Sequence, residues 1–246
     1  MDSLLSMSVV IFVVGTFAAA FVTGLAGFAF GMVAAGIWLH ALTPAQTTTL
    51  IVAYALLVQG YAVWKLRRSL NVGRILPFVV GSAIGIPAGI AVLQWVPPTH
   101  LRLAVGVLLV LFSLYNLARP SLPQVASAGR VADAGVGVLN GMLSGSTGLG
   151  GILPTIWSGM RGWPKDEQRA VFQPTAVATF AMTILALSGV GIISLEIVRL
   201  FAIGLPALAV GTWLGWTLYG QLDEASFRKI VLVLLLVSGV LLVASG

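Results

Sequence analysis

The residues best placed to do chemistry are two short runs of small and hydroxyl side chains, each inside a long apolar stretch. Thr23-Gly24-Leu25-Ala26-Gly27 lies in the first and Ser144-Gly145-Ser146-Thr147-Gly148 in the second, 121 positions later. Each is a hydroxyl residue followed by G-x-x-G. Glycine weakens a helix, and a cluster of it frees backbone N–H groups that lipid cannot satisfy. A break of this kind exposes the N-terminus of a new half-helix, whose unpaired N–H groups and positive dipole end favour an anion. Two matched interruptions in the two halves of a membrane chain point to a transporter's substrate site. The same glycines also fit close helix packing.

Other chemistries find little support. There is no cysteine, which excludes disulfides, thiolate metal sites and thiol catalysis. His40 and His100 stand at helix ends, too far apart in sequence to suggest a metal site, so neither a metal nor a cofactor is expected. Asp133, Glu196, Asp223 and Glu224 fall near the ends of apolar runs, where a solvated carboxylate is expected. Asp166-Glu167, between Lys165 and Arg169, reads as a set of surface pairs. No carboxylate sits at the centre of a helix, so a relay built on a buried acid is not visible. No catalytic residue is identified, and an integral-membrane enzyme is a distant alternative.

The elements that must position the two breaks follow from hydropathy. The chain is 59% hydrophobic and 8% charged, with a mean hydropathy of +1.05, which is the composition of a multi-pass membrane protein. Apolar runs fall near 3–39, 46–64, 75–96, 101–118, 131–160, 168–193, 197–219 and 227–245. Six suit one helix of about 20 residues each. The two that carry the breaks are longer. Gly85-x-x-x-Gly89 matches Gly211-x-x-x-Gly215 at an offset of 126, a pattern of close helix packing. The expected architecture is therefore all-α and integral to the membrane. Residues 1–118 form one repeat, 119–130 a Pro/Ser/Ala-rich linker and 131–246 a second repeat, each a glycine-kinked segment plus three helices. Met1-Asp2-Ser3 carries no basic stretch of the kind that opens a cleaved signal peptide.

Loop charge sets the orientation. If each kinked segment crosses the membrane once, the 13 Lys and Arg divide seven against six. If each is re-entrant, with no net crossing, they divide eleven against two, only Arg102 and Arg199 lying opposite the rest. The positive-inside rule selects the second arrangement: inverted repeats, both termini outside and the linker in the cytoplasm. The net charge of +6 then reflects topology and anionic headgroups, not nucleic acid. Trp38, Trp64, Trp95, Trp157 and Trp163, near span ends, suit an interfacial aromatic belt.

Inverted symmetry would bring the two half-helix N-termini together, and the substrate-binding residues expected are Gly24, Gly27, Phe28, Gly31 and Thr48 in the first repeat. In the second they are Ser144, Gly145, Ser146, Thr147, Gly148, Gly151, Arg169 and Gln173. Ser146 and Thr147 would add hydroxyl donors. Gln173, before the helix-disturbing Pro174, would offer an amide to a polar cavity, and Arg169 one turn earlier would draw anions to the cytoplasmic mouth.

At these residues the chain resembles the TauE/SafE family of sulfite and organosulfonate exporters, also called the TSUP family. The resemblance rests on G-x-x-G-F-x-x-G from Gly24 to Gly31, on Gly145-Ser146-Thr147-Gly148-Leu149-Gly150-Gly151 followed by Pro154, and on Arg169-Ala170-x-x-Gln173 after Pro164. It covers nearly the whole chain. It departs at Phe30, where such runs often have glycine. The family implies a secondary carrier of small sulfur-containing or carboxylate anions in a bacterial-type cytoplasmic membrane. Its partners would be that anion and membrane lipid. An anion channel is the alternative.

Overall fold

The structure is a computed structural model that describes residues 2–26, 29–66, 71–118, 125, 128–218 and 224–244. Gly27 and Phe28, most of the 119–130 linker, Arg67, Arg68 and Asp223 lie outside the described residues. Among those described the chain is all helix. The elements are α1 (Asp2–Ala26), α2 (Phe30–Trp38), α3 (Pro44–Leu66), α4 (Val72–Trp95), α5 (Pro98–Ala118), α6 (Arg130–Thr147), α7 (Ile152–Met160), α8 (Lys165–Gly189), α9 (Leu195–Leu218) and α10 (Glu224–Ala244). Six apolar runs became one helix each. The two overlong runs each became a long helix followed by a nine-residue one, α1 with α2 and α6 with α7. Among the described residues, five helices are long and apolar enough to cross a membrane: Met7–Leu25, Val72–Trp95, Pro98–Ala118, Asp166–Gly189 and Leu195–Leu218.

Local signals start these helices. Thr43 and Gln46 form a capping box at α3: each side-chain oxygen accepts the other's backbone N–H, at 3.2 and 2.9 Å. Pro44 and Pro98 occupy first helical positions, where the missing N–H costs nothing. Ser194 accepts the Ile197 N–H at the start of α9.

The chain forms two compact units, residues 1–51, 96–120 and 193–246 in one and 52–95 with 121–192 in the other. Each takes elements from both halves of the sequence. In the first unit α1 packs on α9 and α5 on α10. Gly211 lies against the Phe17 carbonyl, Gly24 against Gly215, and Gly106 against Gly239. In the second unit α4 and α6 interlock along a glycine ladder. Gly81, Gly85 and Gly89 meet the backbone of Ala134, Val138 and Met142, while Gly137, Gly141 and Gly145 meet that of Phe78, Ser82 and Ile86. Any Cβ there would collide with a carbonyl oxygen, so only glycine permits this approach.

The second kinked segment returns to the end from which it started. The Met160 carbonyl accepts the Val125 N–H at 2.8 Å, and Arg161 lies 3.7 Å from Asp133, in the first turn of α6. In the first unit the return is shorter relative to its partner. The Trp38 indole at the end of α2 donates to the Phe12 carbonyl at 3.2 Å, leaving residues 2–11 of α1 beyond that level, about 15 Å of helix.

Candidate functional site

The break after α6 is made by two glycines. Gly148 has φ 76° and closes α6, its N–H donating to the Ser144 carbonyl at 2.9 Å. Gly151 has φ 98° and precedes α7. Residues with a side chain rarely adopt either angle, so these positions break the helix without strain only as glycine. The Gly151 N–H donates to Asn140 Oδ1 at 2.7 Å. Asn140 Nδ2 in turn donates to Ser82 Oγ on α4 at 3.2 Å and to Thr179 Oγ1 on α8 at 3.3 Å. Ser82 Oγ donates to the Gly137 carbonyl at 3.1 Å, and Ser144 Oγ shares a hydrogen bond of 2.9 Å with Thr183 Oγ1. Asn140, Ser82, Ser144, Thr179 and Thr183 are all fully buried. A buried amide is stable only when paired, and Asn140 is paired on both of its atoms. Because Gly151 presents a donor, the amide oxygen must face it. Asn140 thus ties the start of α7 to three longer helices.

The helix that starts there is a source of donors. Its first N–H groups have no intrahelical partner, and Pro154 brings none. On α8 the Ala176 methyl abuts Gly151. Beside it, Thr175 Oγ1 and Gln173 Oε1 are buried with no hydrogen-bond partner, and Thr175 is fully buried.

The structure distributes the expected site residues unevenly. Ser144, Gly148, Gly151 and Gln173 gather at the break or on the helix against it. Ser146 and Thr147 are beside it, but their hydroxyls donate to the Met142 and Leu143 carbonyls at 2.8 and 2.7 Å, and Thr147 also accepts the Leu149 N–H. Those protons are engaged by their own helix, as is common for hydroxyls inside helices. Gly145 packs on Ile86 and Gly24 on Gly215. Gly31 is half-buried in the first turn of α2, Thr48 is buried in α3, and Arg169 is exposed near the start of α8. Asn140, Ser82, Thr179 and Thr183 were missed. The one signal for Asn140 was a lone amide within an apolar run.

Two expectations are corrected. Asp133 is not solvated: it is 4% exposed, accepts the Trp157 indole N–H at 2.7 Å and lies beside Arg161. Burial of the carboxylate is tolerated because both partners reach it. Glu167 makes the surface pair expected of it, with Arg74 of α4. Arg74 and Arg161 both stack on Trp163, at 4.9 and 5.4 Å from the ring centre. Trp38 is not a belt residue either. It is fully buried, its ring 5.1 Å from Phe12 and 6.1 Å from Phe30.

Comparison with known proteins returns one family. The family model described as "Sulfite exporter TauE/SafE" matches residues 11–242. No curated protein and no solved structure matched the chain. With apolar helices of spanning length, a buried break between α6 and α7 and a family match across nearly its whole length, the chain is a multi-pass integral membrane protein that belongs to the TauE/SafE sulfite exporter family, a family of membrane transporters.

Proposed function

We propose that the protein is a secondary transporter that moves a small oxyanion across a bacterial-type cytoplasmic membrane by alternating access of two inverted repeats. Sulfite or a sulfonate is the leading cargo, a related carboxylate the next. The observation that carries this reading is the buried break between α6 and α7, where a half-helix N-terminus is held in place by Asn140. An anion drawn from water into this depth loses its hydration. Preorganised N–H donors and the positive end of α7 replace it. These donors are neutral, so the anion is held without being trapped. Arg169, exposed at the start of α8, attracts anions from the cytoplasmic side. The return of α7 toward the start of α6 fits the re-entrant arrangement favoured by loop charge, with the linker in the cytoplasm and both termini outside. The anion and lipid are the expected partners, with no cofactor and no nucleic acid.

The test is flux in proteoliposomes. Saturable sulfite or sulfonate flux with counterflow is expected of a carrier, whereas a channel conducts without counterflow. Gly148→Leu should insert and purify normally yet abolish flux, because the side chain forces a strained φ and fills the space before α7. Normal flux through that variant would remove the break from the transport path.

A further inference from the structure

The polar groups around the α6–α7 break share one property: they carry no charge. Among the described residues only one charged side chain is buried, Asp133, and it is already matched by Trp157 and Arg161 near the other end of α7. The helices packed around the break, α4, α6 and α8, bring Arg74, Arg130, Asp133, Asp166, Glu167 and Arg169, all within the first two turns of their helices. At the break itself are backbone N–H groups, Asn140 and hydroxyls.

One of those hydroxyls has no use within the protein. Thr175 is fully buried, and its oxygen has no partner. It lies one turn before Thr179, the α8 residue that touches Asn140, so it shares the face turned toward the residue that holds the Gly151 N–H. The Gln173 amide oxygen, two positions earlier, is also buried and unpartnered. A fully buried hydroxyl without a partner is disfavoured unless something else completes it.

A half-helix N-terminus supplies roughly half a positive charge. Neutral donors add hydrogen bonds but no net charge. Such a seat balances one negative charge far better than two, and a second would be left uncompensated in a poorly solvated place, where protonation is favoured instead. We infer that the protein carries its oxyanion only as the monoanion: hydrogensulfite rather than the sulfite dianion, with an alkyl sulfonate as the equivalent cargo. This rests on the reading of the α6–α7 break as the anion seat.

Sulfite and methanesulfonate separate charge selection from protein titration. The sulfite dianion takes up its first proton near neutral pH, becoming hydrogensulfite, while methanesulfonate is a monoanion throughout. The experiment measures flux of each into proteoliposomes at fixed total concentration, across the pH range that spans sulfite's second ionisation. Any titration of the protein acts on both anions and cancels in their ratio. The expected result is that sulfite flux relative to methanesulfonate falls about tenfold per pH unit above that ionisation. A ratio independent of pH overturns the inference. Gly148→Leu and Thr175→Val are run in parallel, the second removing only a hydroxyl. Block by Gly148→Leu, or a several-fold higher KM for both anions in Thr175→Val, with a flat ratio in the wild type, keeps the seat but refutes charge selection. Wild-type flux and KM for both anions in both variants refute the seat and the inference with it.

Discussion

Ala19 stands 121 positions before Asn140, and Leu208 stands 126 positions after Ser82, the offsets at which the G-x-x-G and G-x-x-x-G runs recur. The break after α6 is therefore held by an amide and a hydroxyl where the first unit has two buried apolar side chains. The first unit secures its half-helix with rings instead: Phe12 and Phe30 enclose Trp38, whose indole N–H reaches the Phe12 carbonyl. It also enters α2 through Ala29 at φ 80°, where the second unit uses Gly151. Both units thus have the interruption but differ in what fixes it. Aromatic packing sets the position of a helix. A hydrogen-bond hub also sets the direction in which donors point, which is what an anion seat requires.

The largest expected effect tests the packing beneath each break. Gly85→Ala places a methyl inside the Val138 carbonyl, with helix backbone on both sides and nothing flexible to yield. It should destabilise the protein by about 3 kcal/mol or more, whereas Gly211→Ala, whose Cβ would lie 2.6 Å from the Phe17 carbonyl, should cost about 1–2 kcal/mol. Thermal unfolding of purified protein measures both. Equal losses would mean that the two helix pairs are equally tight.

Next comes the hub. Asn140→Leu keeps the volume but orphans the Gly151 N–H and removes the donor to Ser82 and Thr179. Destabilisation of about 1–3 kcal/mol is expected. Transport should fall at least tenfold, since the start of α7 loses its register. Trp38→Phe in the other unit should cost about 1 kcal/mol through the lost indole bond while leaving KM unchanged. A KM change in Trp38→Phe as large as that in Asn140→Leu would erase the distinction between the two breaks.

Backbone strain gives a smaller effect with opposite signs. Ala29→Gly should stabilise by about 0.5–1 kcal/mol, because relief of a left-handed alanine outweighs glycine's extra unfolded entropy. Gly148→Ala should destabilise by about 1–2 kcal/mol at nearly the same φ. Denaturation midpoints of the pair would show whether the two units carry strain differently.

The smallest effect belongs to Arg169. It is exposed, so Arg169→Gln should slow anion uptake by no more than about twofold at low salt and by nothing measurable at high salt, where the attraction is screened. A loss that persists at high salt would place the guanidinium in contact with the cargo.

Much of this molecule was readable from the chain alone because the rules involved are local. Lipid demands about 20 apolar residues per crossing, so the helices showed themselves as runs. Glycine alone takes positive φ without strain, so Gly148 and Gly151 mark a break in the sequence itself. The glycine pairs at 85/89 and 211/215 announced close packing, and both pairs pack as expected.

What remained hidden depends on residues far apart in sequence. Asn140 acquires its meaning from Ser82 and Thr179, 58 and 39 positions away, and nothing local distinguishes a hub amide from an idle one. Asp133 reads as an interfacial carboxylate until α7 folds back and delivers Trp157 and Arg161 to it. Trp38 reads as a belt residue until α2 turns it onto Phe12. The sequence by itself determined the membrane class, the helices and the breaks, because apolar length and backbone freedom are properties of each segment. Only the tertiary structure decided which buried polar groups pair and which two stay open on α8, because pairing is a property of segments brought together.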